Sequence, residues 1–155
     1  MTATRVFLRS TIFLCSFPMT AIAKDKKLDR SQLPPAVEKT VQAQSHGATV
    51  KGFATEREGG KKVYEAEMIV NGHTKDLQIA EDGTLNEVEE EVPFDSLPPG
   101  VQTALLAKPS GVTITKVEAL TKRGSLVAYE ASTLKGSQKG EIQLGPTGNK
   151  LSHPE

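Results

Sequence analysis

Polar and apolar positions along this chain switch from one period to another, and the switch is made twice. Val37 and Val41 stand at i, i+4, and Val101 and Leu105 stand the same way further on. That spacing puts each pair on one face of a helix. Downstream of each pair the period drops to two. Tyr64, Ala66, Met68 and Val70 share one face of a strand, with Glu65 and Glu67 on the other. Tyr129, Ala131 and Thr133 repeat the pattern against Glu130 and Ser132. Such alternation marks an antiparallel sheet with one face on a core and the other toward water.

The punctuation between these runs also recurs. Leu33-Pro34-Pro35-Ala36-Val37 returns as Leu97-Pro98-Pro99-Gly100-Val101. A residue before proline avoids helical angles, and the second proline suits the first position of a helix. Both helices end near a glycine, Gly47 and Gly111, and are too short to persist unless each lies on a sheet. Strands over 48–56 and 112–120 break phase between Val50 and Phe53 and between Ile114 and Val117, which predicts a β-bulge in each. Hairpin turns are expected at 58–61, at 122–125 and at Asn71-Gly72. Leu77 with Ile79, and Ile142 with Leu144, mark third strands. Leu85 with Val88, and Leu151, mark short fourth ones.

Self-similarity at this period predicts two copies of one supersecondary block. The expected fold class is α+β: two tandem repeats, each a short helix followed by a four-stranded antiparallel meander, with the helices packed on one sheet face. The expected organisation is a signal peptide over 1–23, a flexible charged arm over 24–32, repeat 1 over 33–92 and repeat 2 over 93–155. Glu87 to Pro93 joins the copies, and its acid run Glu89-Glu90-Glu91 reads as a solvated linker or edge. Tyr64 and Tyr129 are expected under their own helices, with Glu65 and Glu130 on the solvated face.

The leader changes the picture of where this protein works. Arg5 and Arg9 precede a stretch of mostly apolar or small residues, and Ala21-Ile22-Ala23 is a small-x-small cleavage site. These are the parts of a secretory signal peptide. Leu14 stands before Cys15, where a lipid-attachment site needs a small residue, so no lipid anchor is expected. No other apolar run approaches the length of a membrane span. The expectation is a periplasmic or secreted protein with no membrane insertion after cleavage. Cleavage would remove the only cysteine, and with it disulfide and thiol chemistry. It would also leave a small negative net charge, which exerts no long-range pull on nucleic acid.

Candidate chemistry is sparse. His46, His73 and His153 fall in turns or near the C-terminus and lack the spacing of zinc ligands. There is no nucleophile elbow and no phosphate-binding loop. Glu65 and Glu67 sit about 6 to 7 Å apart along a strand, a separation that serves glycosidases. The chain has no tryptophan to line a sugar cleft, however. We therefore expect no catalytic, cofactor-binding or metal-ligating residues, no cofactor, and a protein that is not an enzyme. The alternative reading is a weak divalent-cation-binding envelope protein, drawn from Asp76, Glu81, Asp82 and the run Glu87 to Glu91. No spacing there matches a dedicated calcium loop.

The two Leu-Pro-x-x-Val helix starts, the strands with Tyr64-Glu65-Ala66 and Tyr129-Glu130-Ala131, and the turn Asp82-Gly83-Thr84-Leu85 resemble the PepSY-like family, which includes exported β-lactamase-inhibitor-like proteins. The resemblance spans 33–153 and departs from the pattern at Gly145-Pro146-Thr147-Gly148. It implies an extracytoplasmic protein that binds or inhibits other proteins. The expected function is an exported, non-catalytic binding module, an inhibitor or modulator of an extracytoplasmic enzyme. Its expected partner-binding face carries Glu65, Glu67, Glu130 and Ser132.

Overall fold

The computed structural model describes residues 26–155. The expected signal peptide and the first two residues of the arm lie outside the described residues. Eight strands form one antiparallel sheet in chain order: β1 (Lys26–Leu28), β2 (Ala48–Glu58), β3 (Lys61–Val70), β4 (His73–Ala80), β5 (Leu85–Glu91), β6 (Val112–Lys122), β7 (Ser125–Lys135) and β8 (Gln138–Leu144). Helix α1 (Pro35–Gln44) lies between β1 and β2, and α2 (Pro99–Leu106) between β5 and β6.

Each helix opens with proline at its first turn, as the double prolines require. Val37, Val41 and Val101 are fully buried and Leu105 nearly so. They meet the apolar faces of the strands. Val37 and Val41 cluster with Tyr64, Ala66, Met68, Leu77 and Ile79. Val101 and Leu105 cluster with Val117, Ala131 and Leu144, and Tyr129 packs against them. Tracing the register from Ile79 through Leu85 and Val88 to Thr121 and Val117 places both clusters on the same face of the sheet. The bulges fall between Val50 and Gly52 and between Ile114 and Lys116. Asn71 and Gly72 adopt positive φ, 52° and 89°, as a tight hairpin requires.

The architecture of two blocks, each a helix and a four-stranded meander, is not what forms. The segment read as a linker is β5, a strand in the middle of the sheet. It pairs with β4 from Lys75↔Glu90 to Ile79↔Leu85, and with β6 from Glu87↔Lys122 to Glu91↔Glu118. One uninterrupted meander results. Only three strands follow α2. Beyond them the turn at Gly145 to Gly148 returns the chain to a single bridge, Leu144↔Lys150, in place of a fourth strand. The charged arm is also partly ordered. Lys26–Leu28 pairs with Phe53–Thr55, and Leu28 packs against the first core. Both misreadings have one cause. Three glutamates or two lysines in a row have poor strand propensity, and cross-strand pairing overrides it.

Candidate functional site

Because the helices cover one face of the sheet, the alternation of each strand sends its charged residues to the other. Glu65 and Glu67 of β3, and Glu130 and Ser132 of β7, lie on that face. Four strand spacings of about 4.8 Å separate the two pairs, roughly 19 Å. The gap is filled by carboxylates that the expected partner-binding face did not include.

The register places them in opposition. Glu67 stands opposite Asp76, and Asp76 opposite Glu89. Glu91 stands opposite Glu118, and Glu118 opposite Glu130. Like charges directly across a ladder are destabilising, and here four such pairs run across five strands. At the centre, Asp76, Glu89 and Glu118 each bring a carboxylate oxygen within 4.8 Å of the others. At that separation two full charges repel by about 3 kcal/mol in a medium of effective permittivity about 20.

Burial sharpens the effect. Val63, Leu120 and Ala128 also lie on this face, with no helix over them, yet they are 3%, 2% and 0% exposed. This side of the sheet is recessed: Val63 lines a cleft that the C-terminal Glu155 also reaches, and Glu155 N donates to Gln143 Oε1 at 2.9 Å. Glu118 is 5% exposed as well. A hollow of about 170 Å³ is lined by Glu56, Glu65, Asp76, Gln78, Glu87 and Glu89. It adjoins a cleft of about 940 Å³ at the end of the sheet where Lys61, Asp82 and Arg123 gather from three turns.

Some of these acids are compensated. Lys116 Nζ donates to Glu118 Oε1 at 2.7 Å, and Thr74 Oγ1 lies 3.5 Å from the same oxygen. Glu91 accepts from Thr74 N at 3.0 Å and pairs with His73 at 3.5 Å. Gln143 donates to Glu130 at 2.7 Å, Gln78 to Glu56 at 3.2 Å, and Lys122 pairs with Glu87 at 3.5 Å. Among the described residues, no cation lies within salt-bridge distance of Asp76 or Glu89. Burial, reinforced by Glu118 and Glu67, pushes the Asp76 carboxyl up to about 6. Burial and the charges of Glu130, Glu118 and Glu87 push Glu89 to about 8. Burial works against the Lys116 ammonium, but Glu118, Asp76 and Glu89 more than offset it and raise its pKa.

Of the group read from sequence for a divalent ion, the fold brings Asp76 and Glu89 together with Glu118, three carboxylates placed so that they could hold a metal ion, and sets other members apart. Glu81 and Asp82 lie in the exposed β4–β5 turn, where Asp82 accepts from Thr84 N at 2.9 Å. Glu90 pairs with Ala119 on the helix side of β5. Within the central trio, Lys116 pairs with Glu118 alone. Phe53, Tyr64, Phe94 and Tyr129 all join the helix-side cores, which leaves the acidic face without an aromatic ring among the described residues. Glu118 and Lys116 escaped the sequence reading because their importance lies in cross-strand neighbours. The i, i+2 spacing of Glu87, Glu89 and Glu91 around Val88 was the available sign of a strand.

No known family model matches the chain, and no curated protein matches it significantly. Solved structures do match. A candidate periplasmic protein from Bacteroides eggerthii superposes with a TM-score of 0.63 at 19% identity, covering 77% of this chain and 86% of its own. A DUF2874 family protein from Bacteroides ovatus gives 0.60 at 20%, covering 77% and 85%. A BLIP-like protein from Bacteroides fragilis gives 0.56 at 20%, covering 75% and 81%. These likenesses establish a BLIP-like fold. They lend no support to the PepSY part of the sequence resemblance or to tandem repeats.

Proposed function

We propose that this protein is an exported, non-catalytic binding module that holds a lysine- or arginine-rich surface of an extracytoplasmic protein against its acidic sheet face. The observation that carries the reading is the run of like-charged cross-strand pairs from Glu67 to Glu130. A ladder that opposes acid to acid is relieved by positive charge, and Lys116 shows that an ammonium fits there, 2.7 Å from a buried carboxylate. Charge complementarity of this kind steers encounter and rejects acidic partners. Export is supported by the leader sequence and by the periplasmic description of a protein with this fold. An extracytoplasmic enzyme with such a basic segment beside its active site is the partner that would make the module an inhibitor or modulator.

A photo-crosslinking residue placed at Ser132, on the acidic face, and at Lys39, on the exposed side of α1, tests this in cells that export the full chain. Crosslinking to one extracytoplasmic protein from position 132 alone is expected, with loss of the product when Glu65, Glu67 and Glu130 are changed to glutamine. A product formed equally at position 39, or indifferent to those glutamines, overturns the reading. If Ca²⁺ without any protein partner shifts the melting temperature and chelation reverses it, the divalent-cation alternative takes its place.

A further inference from the structure

The acidic face carries more negative charge than its own cations meet, and the surplus is concentrated around one strand. Glu89 projects from the middle of β5, with Glu87 and Glu91 two residues to either side. Asp76 faces it from β4, with Glu65 and Glu67 beyond on β3 and Glu56 on β2. From the other side come Glu118 on β6, Glu130 on β7 and Glu141 on the exposed edge strand β8. Lys116 and Lys122 of β6 are cations within the field, and Lys27 of β1, opposite Ala54, shares the same face. Lys116 is spent on Glu118 at 2.7 Å and Lys122 on Glu87 at 3.5 Å. His73 sits at the rim on Glu91, and Lys61 and Lys139 lie toward the ends of the face.

We propose that the cluster of Asp76, Glu89 and Glu118 is a proton store, which retains a shared proton at neutral pH and must release it when a basic partner docks. The geometry requires some such device. Three carboxylate oxygens within 4.8 Å, one belonging to a buried residue and only that one paired with an ammonium, cannot all be charged at once without mutual repulsion. The upward displacement of Asp76 and Glu89 has the same origin. An arriving lysine or arginine substitutes for the proton, so binding and deprotonation are one event. Binding should therefore tighten as pH rises through neutrality, opposite to the behaviour of a surface that recruits protonated histidine. The partner half of this inference rests on the proposed function; the proton store does not.

The two halves are tested separately on the full chain. Carbon-13 NMR of the side-chain carboxyls, with no ligand present, is expected to show at least one of Asp76 and Glu89 still protonated at pH 7, with its midpoint above neutrality. Glu89→Gln should then lower the midpoint of Asp76. Midpoints below pH 7 for both residues overturn the store. Calorimetry with a ten-residue lysine peptide, in two buffers of different ionisation heat and with chelator present, counts the protons released on binding. Release of about one proton at pH 7 is expected, with affinity rising about tenfold per pH unit at most, as linkage to one proton dictates. Binding without proton release overturns the linkage while leaving the basic-partner reading intact. High carboxyl midpoints with no peptide binding sustain the store and count against that reading.

Discussion

Asp76 stands directly opposite Glu89 across the β4–β5 ladder, acid facing acid, with no lysine, arginine or histidine within 4.0 Å of either among the described residues. A cross-strand pair of this kind weakens a sheet. Replacing one member with a neutral isostere should strengthen it. Glu89→Gln is expected to raise stability at pH 8 by roughly 1 kcal/mol, a figure kept low because the group is partly solvated. At pH 5, where Glu89 is protonated in any case, the effect should nearly vanish. Thermal melts of both proteins at the two pH values provide the measurement.

The unmodified protein should respond to pH in the same sense. Asp76 and Glu89 have folded-state pKa values above the ordinary carboxylate range. The stability they contribute is complete below that range and is lost as pH rises through about 6 and about 8. Glu38, Glu91 and Asp82 are lowered, Glu38 chiefly by Arg30 and the other two by backbone hydrogen bonds from Thr74 and Thr84, so they contribute above the ordinary range and lose it in acid. Stability should peak near pH 5 and fall toward pH 8. Urea unfolding across that interval checks it, and a midpoint that climbs steadily to pH 8 would contradict the arrangement.

Lys116→Met removes the ammonium that serves a buried carboxylate. The expected loss is about 2 to 4 kcal/mol, because Glu118 is left as an uncompensated charge. Adding Glu118→Gln to the same chain should recover most of it. Equilibrium denaturation of the two single variants and the double variant gives the coupling directly.

The tyrosines at matching strand positions are not equally buried. Tyr64 is 3% exposed under α1, whereas Tyr129 is only partly buried beside α2. Tyr64→Ala should cost about 3 to 5 kcal/mol and Tyr129→Ala roughly 2 to 3 kcal/mol. Denaturant midpoints at a fixed slope would show the difference.

A glycine pair separates conformational strain from steric clash. Gly72 and Gly83 both have positive φ, but a Cβ at Gly72 meets open space, while one at Gly83 would lie 2.7 Å from the Ala36 carbonyl oxygen. That turn is also tied to α1 by Thr40 Oγ1, which donates to the Gly83 carbonyl at 2.6 Å. Gly72→Ala should cost about 1 kcal/mol, and Gly83→Ala about 2 kcal/mol or more. Equal melting temperatures for the two variants would show that the turn does not press on the helix.

What the sequence reveals here depends on how local the cause is. Val37 with Val41 and Tyr64 with Ala66 are legible because one helix or strand fixes their faces. The bulge before Gly52 and the turn at Asn71-Gly72 are legible for the same reason. The acidic strand β5 is not, since Glu89-Glu90-Glu91 has weak strand propensity and is held by β4 and β6 from either side. Glu65, Glu67, Glu130 and Ser132 do share the face away from the helices, yet the most crowded carboxylates lie between them. Glu118 follows Val117 in an ordinary alternating run, and only its opposition to Glu91 and Glu130 makes it unusual. Register across several strands is a long-range property that a one-dimensional pattern does not encode.

The β5–β6 ladder has a consequence for how the molecule can be divided. Each apolar core has its own helix, but what joins them is a row of backbone hydrogen bonds. A chain cut in the segment between β5 and α2 would leave two fragments, each with a raw strand edge and an acidic stripe missing its neighbour. The edge of one is the complement of the other. Mixing the halves should rebuild the whole, so the meander lends itself to use as a split reporter whose reassembly restores the carboxylate trio, with Asp76 and Glu89 supplied by one fragment and Glu118 by the other.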